Sequence, residues 1–231
     1  MKAAVFLSGC GVYDGAEIQE SVLTLLALKE NGFDYQCFAP DMAQHHVINH
    51  RTGEEMAETR NVLTEAARIA RGEIKPLTDY SAADFDALVL PGGFGVAKNF
   101  SKWAFAGPQG DILPEVAQAL RDTVAAKKAI AALCMAPTTL ARAIGSVGHS
   151  GPALTLTVGT TAEASPYPIA DIAGGIASLG MNTAACSADQ PCVDTANRIV
   201  SVPCYMMEAD IVTVARGIAA GIHELKKLVA G

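Results

Sequence analysis

"AIAALCMAPTTLARAI", residues 129–144, is the stretch on which the fold turns. Residues 129–134 are small and apolar without interruption and read as a buried strand, and residues 136–144 read as a helix. Cys134 stands at the junction. A strand-to-helix turn that presents a nucleophile needs small residues two before and two after it, and Ala132 and Ala136 occupy those positions. Pro137 falls in the first helical turn, where its missing N–H costs nothing. A thiol placed there faces unpaired backbone N–H groups and the positive end of a helix dipole, both of which lower a thiol pKa. "AACSA" around Cys186 has the same spacing, but no strand-like run precedes it and only "DQPC" comes after. Cys10 in "SGCGV" follows a strand yet leads into a glycine-rich loop rather than a helix. Cys134 is therefore the cysteine expected on a nucleophile elbow.

Working outward, strands and helices alternate. "KAAVFLS" (2–8) reads as a first strand, followed by the turn "GCGVYDG". Residues 17–30 place Ile18, Val22, Leu25, Leu26 and Leu28 on one apolar stripe at helical spacing, and Asn31-Gly32 stops that helix. Strands follow at 35–40 and 85–91 and a short extended piece at 73–77, with a helix at about 59–71. Helices are expected at 114–127 and 169–179, strands at 153–159 and 198–203, and a long closing helix at 208–229. Residues 41–58 form a polar insertion with a hairpin around Thr52-Gly53. This order predicts an α/β fold, a doubly wound and mostly parallel sheet with helices on both faces. One domain spans 1–231.

Half of the 231 residues are hydrophobic and 18% are charged, which suits a compact core. A net charge of −7, with Lys226-Lys227 as the nearest thing to a basic cluster, argues against a nucleic-acid partner. No apolar stretch approaches the ~20 residues of a membrane span. "LSGC" (7–10) matches a lipoprotein cleavage pattern, but the preceding residues are too few for the apolar region of ~7–15 residues in a signal peptide. The chain is accordingly expected to be cytoplasmic and the Asn99-Phe100-Ser101 glycosylation triplet fortuitous. The six cysteines are dispersed and include no C-x-x-C pair, so neither a disulfide framework nor a metal site is expected.

In open parallel sheets the functional crevice lies beyond the carboxyl ends of the strands. Three segments fall there: "SGCGVYDGAE", "PGGFGVAKN" and "CMAP". The second is neither of the glycine-rich phosphate-loop patterns. Gly92-Gly93 reads either as a backbone oxyanion hole or as a plain tight turn. Glu17 and Glu20, three apart on one face of the first helix, either complement its dipole or face Cys134 from the same sheet end. No histidine follows Cys134, where Met135 stands instead; His45, His46 and His50 lie in the insertion and His149 in the loop "VGHSG".

Taken together, the strand-Gly-Gly turn, the cysteine elbow and the two glutamates resemble the ThiJ/PfpI branch of class I glutamine amidotransferase-like proteins. "LSGCGVYDGAEIQE", "CFAPD", "VINHRTGE", "ETRNVLTEAARIARGEI" and "LVLPGGFGVAKN" resemble segments of the ElbB family, the sigma cross-reacting or isoprenoid-biosynthesis glyoxalase-like proteins. The similarity is dense from about residue 3 to 100, resumes at Cys134 and "LTLTVGT", and thins between 160 and 200. It implies a flavodoxin-like domain, a homodimer, and Cys134 as nucleophile with Glu20 as its proton partner and Glu17 in support. Gly92, Gly93, Met135 and Asn99 would then bind the substrate or its oxyanion. The implied activity is a glyoxalase reaction on small 2-oxoaldehydes that needs no cofactor, metal or glutathione; the alternative is a redox-responsive or chaperone-like binding protein, or an accessory factor in isoprenoid metabolism, with only incidental turnover. Without a histidine after the cysteine, the chain departs from the protease and amidotransferase patterns.

Overall fold

The apolar runs become the middle of one sheet, where both faces are covered and an unpaired polar side chain is costly. A computed structural model describes residues 1–145 and 151–231. Its first half runs β1 (Lys2–Phe6), α1 (Ile18–Glu30), β2 (Asp34–Ala39), α2 (Val62–Ile69), β3 (Ile74–Pro76), β4 (Ala87–Leu90), α3 (Trp103–Ala106) and α4 (Pro114–Ala125). The second half runs β5 (Ala129–Leu133), α5 (Ala136–Gly145), β6 (Thr155–Gly159), α6 (Ile169–Ser178), β7 (Asn182–Ala185), β8 (Cys192–Asp194), β9 (Ile199–Val202) and α7 (Ile211–Ala230). Seven strands join in the order β3-β2-β1-β4-β5-β9-β8. Every neighbouring pair is parallel except β8 with β9. Strand order reverses direction at β1, so right-handed crossovers put α1 and α2 on one face and α4 on the other. The reversal also opens a crevice between the carboxyl ends of β1 and β4.

The doubly wound α/β expectation holds, with three differences of detail. First, β6 stays out of the main sheet and, among the described residues, pairs only with β7. Side chains tie it to the β8–β9 edge: Thr157 N–H donates to Ser201 Oγ (2.9 Å) and Thr155 N–H to Asp194 Oδ2 (2.8 Å). Second, the α1 stripe splits. Leu25 and Leu28 pack into the core, whereas Ile18, Val22 and Leu26 are 45%, 49% and 52% exposed. Ser21 and Thr24 are buried instead, on the helix face that also carries Leu28. Third, α2 starts later than expected, because the Asn61 side chain caps it by accepting from Thr64 N–H (2.9 Å). The hairpin in the polar insertion is present: Gly53, at φ +76°, returns its N–H to Asn49 O (2.7 Å), and Ile48 bridges Glu55.

Candidate active site

β5 ends at Leu133, and the chain turns so sharply into α5 that Cys134 takes φ +56°, a left-handed conformation that costs a non-glycine residue ~1–2 kcal/mol. Its N–H still completes the sheet, donating to Val202 O (2.8 Å). The strain therefore buys one thing, a side chain aimed across the crevice at α1. The sulfur receives hydrogen bonds from the Gly93 and Met135 N–H groups and a third contact from the Glu20 carboxyl.

Glu20 is fully buried, and three elements hold it. Gly92 N–H donates to its Oε2 (3.0 Å) and Tyr205 N–H to its Oε1 (3.3 Å), while the Cys134 thiol completes the set. Glu17 caps α1: its Oε2 accepts from Glu20 N–H (2.6 Å), and its own N–H donates to Gly92 O (2.9 Å). The two glutamates are thus not alike. Glu17 orients the helix end and lines the pocket over the sulfur, and Glu20 touches the sulfur itself.

Two glycines make the approach possible. Gly93 sits at φ +96°, and a Cβ there would fall 2.4 Å from both Glu17 N and Gly15 O. At Gly92 a Cβ would fall 2.3 Å from Cys134 Cβ, 2.6 Å from Glu20 Oε2 and 2.7 Å from the sulfur. Gly92→Ala is accordingly expected to lower stability by at least ~1–3 kcal/mol through overpacking and to push the carboxyl off the thiol. Denaturant titration together with an activity assay checks it, and a variant with wild-type values for both would refute this geometry.

Electrostatics correct one expectation. The amides of Gly93 and Met135 do pull the Cys134 thiol pKa down, but burial is the larger influence, and with the charge of Glu20 it holds the thiol well above its ordinary value. Burial, then the charge of Glu17, likewise raises Glu20 to about 8, although the thiol and two N–H groups favour its ionised form. At neutral pH both partners keep their protons, and the pair gives up the first one near pH 8.

Above the sulfur, Val12, Glu17, Phe94, Tyr167, Tyr205 and Met206 close a pocket with a free volume of about 10 Å³, room for about one water. Tyr167, edge-on to Phe94, has its hydroxyl pKa pushed up to about 12 by burial and by Cys134, so it stays a hydrogen-bond donor. Sequence reasoning missed Tyr167 and the Tyr205 amide. Both come from the 160–205 region, where the only local signal is a tyrosine between two prolines, Pro166 and Pro168.

Of the residues expected at the site, Cys134, Glu20, Glu17, Gly92, Gly93 and Met135 converge. Asn99 does not share their work. Its Nδ2 donates to Ser8 O and Asp14 O (2.9 Å each) and its Oδ1 accepts from His45 N–H (2.9 Å), so it clamps the β1 loop to the insertion. That leaves its amide no proton for a substrate. Among the described residues no histidine lines the pocket. His50 is engaged with Tyr13 N–H (3.3 Å) and Ile48 O (2.9 Å), and His149 lies outside the described residues. Among the described residues no three His, Cys, Asp or Glu side chains are grouped to hold a metal ion.

Known proteins share both sequence and geometry. The model of the DJ-1/PfpI family matches residues 10–151. The ES1 protein homolog, mitochondrial, of Rattus norvegicus is 39% identical over 229 residues, covering 98% of this chain and 84% of that protein. The glutamine amidotransferase-like class 1 domain-containing protein 3, mitochondrial, of Homo sapiens is also 39% identical, covering 98% and 83%. A crystal structure of an isoprenoid biosynthesis protein with an amidotransferase-like domain from Ehrlichia chaffeensis superposes with a TM-score of 0.88 at 35% identity over 99% of both chains. The names of the rat and human relatives overturn the cytoplasmic expectation, since both are mitochondrial proteins. That expectation rested on the lack of a secretory leader, and an organelle address is read by a receptor rather than written in a packed core.

Proposed function

The chain belongs to the DJ-1/PfpI family, and from that premise we propose that it is a glyoxalase-like enzyme that converts small 2-oxoaldehydes to 2-hydroxy acids without glutathione. Within the family we place it with the ElbB group, a placement favoured by the name of the Ehrlichia relative, an isoprenoid biosynthesis protein. The observation that carries the activity is the Cys134–Glu20 contact, with a carboxyl whose pKa of about 8 lets it both take and return a proton near neutrality.

In this reading the ionised Glu20 removes the thiol proton as sulfur attacks the aldehyde carbon. The Gly93 and Met135 N–H groups, already at the sulfur, face the oxyanion of the adduct. The proton then passes to that oxygen, which leaves a hemithioacetal and resets the carboxylate. Glu20 next takes the proton from the adduct carbon and delivers it to the neighbouring carbonyl carbon through an enediol. Water cleaves the resulting thioester, giving the 2-hydroxy acid and the free thiol. With room for about one water, the pocket must open to admit even a two-carbon aldehyde, which disfavours larger substrates further. A redox-sensing role for Cys134 is disfavoured, because a thiol held protonated oxidises slowly.

The test is conversion of methylglyoxal to lactate with no glutathione present. The pair must lose one proton before sulfur can attack, whichever partner holds the other, so the rate rises about tenfold per pH unit below pH 8 and levels above it. No lactate, a requirement for glutathione, or a flat profile between pH 6 and 9 would each overturn the reading.

A further inference from the structure

A second pair of cysteines meets away from the elbow. Cys186 follows β7 and Cys192 opens β8, and the turn between them is closed by Gln190 N–H donating to Ser187 O (3.0 Å). Cys186 N–H donates to Gly159 O (3.4 Å) and the Cys192 sulfur reaches Thr155 O (3.8 Å), so both cysteines lie against β6 and their side chains face each other. Both residues lie just beneath the surface, 6% and 8% exposed.

The surroundings distinguish the two sulfurs. The Thr157 hydroxyl bonds to Cys186. Its oxygen already accepts from Gly159 N–H (3.1 Å), so its proton is what it offers the sulfur. Ser201, opposite Cys192 in the β8–β9 ladder, stands in the same relation to that sulfur: its oxygen accepts Thr157 N–H (2.9 Å) and its hydroxyl bonds to Cys192. Cys192 also has a carbonyl within reach, Thr155 O at 3.8 Å from its sulfur, which favours keeping its proton. The Cys192 S–H, the largest influence, pulls the Cys186 pKa down to about 7 against the effect of burial, while Cys192 is driven up. One sulfur is prepared to attack and its neighbour holds a proton to give.

We propose that Cys186 and Cys192 form a peroxide-reactive dithiol site, separate from the Cys134 centre, that closes to a disulfide. The Cys186 thiolate attacks one oxygen of a hydroperoxide, the O–O bond breaks, and the leaving hydroxide or alkoxide is protonated by water. Cys186 is then a sulfenic acid. Cys192 attacks that sulfur, the S–O bond breaks, and the departing hydroxyl takes the Cys192 proton and leaves as water. The peroxide gains two electrons and the two thiols lose two. Cys134, whose thiol is held protonated, stays out of this reaction.

The full chain treated with a few equivalents of hydrogen peroxide, alkylated, and cleaved before Asp189 gives Cys186 and Cys192 on separate peptides. The expected result is loss of both free thiols and one linked pair of peptides, lighter than the two free peptides by two hydrogens and restored by dithiothreitol. In Cys192→Ser the link is lost and dimedone traps Cys186 as the sulfenic acid. Full alkylation of both cysteines after peroxide, or a Cys186 bond to any other cysteine, would overturn the proposal. The readout is a mass, so it stands or falls independently of the glyoxalase assay.

Discussion

Cys134→Ala is expected to lower methylglyoxal turnover by at least ~10⁴-fold, the scale on which loss of a nucleophile acts when its partners remain. Without sulfur no hemithioacetal forms, and the Gly93 and Met135 amides lose the atom that holds a substrate oxygen beside them. Glu20 is left to enolise an untethered aldehyde, which forfeits most of the advantage of proximity. Structure should survive, because the sulfur is small and the Cys134 N–H bond to Val202 O is retained. The replacement does keep φ +56°, so the strain persists. Cys134→Gly sheds ~1–2 kcal/mol of that strain and loses ~0.5–1 kcal/mol to chain entropy. It should therefore be inactive yet melt no lower than Cys134→Ala. Turnover of purified Cys134→Ala within tenfold of wild type would remove the thiol from the reaction.

How much of this was legible in the sequence follows from where each signal is stored. Central strands such as 87–90 and 129–133 declare themselves because burial on both faces disfavours polar residues. The elbow was readable for a related reason: a turn this tight admits only small neighbours, and Ala132 and Ala136 show it. Gly92 and Gly93 were ambiguous between an oxyanion hole and a plain turn until contact distances showed that no Cβ fits at either. β7 and β8 were not readable, since four residues that are largely exposed and a strand of three carry no hydrophobic period.

The sign of the Cys134 pKa shift was misjudged for a physical reason. Local features, a helix N-terminus and two N–H donors, are visible in sequence, whereas burial and the charge of Glu20 are properties of the assembled crevice. Tyr205 illustrates the same limit. Its contribution is a backbone N–H delivered to Glu20 from 185 residues away along the chain, and no side-chain pattern marks it. The Cys186 spacing, which matched an elbow as well as Cys134 did, turned out to serve a strand end facing a second thiol.

Glu20→Gln separates the catalytic from the structural consequences of burying a carboxyl. An amide can neither take the thiol proton nor return one to carbon, so turnover should fall by ~10²–10⁴-fold, and the levelling of the rate near pH 8 should vanish with it. Stability moves differently with pH. In the fold Glu20 binds its proton up to about pH 8, against an ordinary value of 4.5 for an exposed carboxyl. Between those values the folded state holds more protons than the unfolded chain, so wild-type stability is greatest at low pH and declines as pH rises through the window. At ~1.4 kcal/mol per pH unit of displacement, the decline is on the order of 5 kcal/mol. Gln carries no such dependence. Its NH₂ group must instead confront the N–H of Gly92 or Tyr205, a cost of ~1–3 kcal/mol that does not vary with pH. Glu20→Gln should thus be less stable than wild type at pH 5 and draw level with it or pass it by pH 8.5. Urea titrations at both values measure the crossing. A gap between the two proteins that stays constant with pH would mean that Glu20 titrates alike in the folded and unfolded chain, and the rise of turnover toward pH 8 could not then be assigned to it.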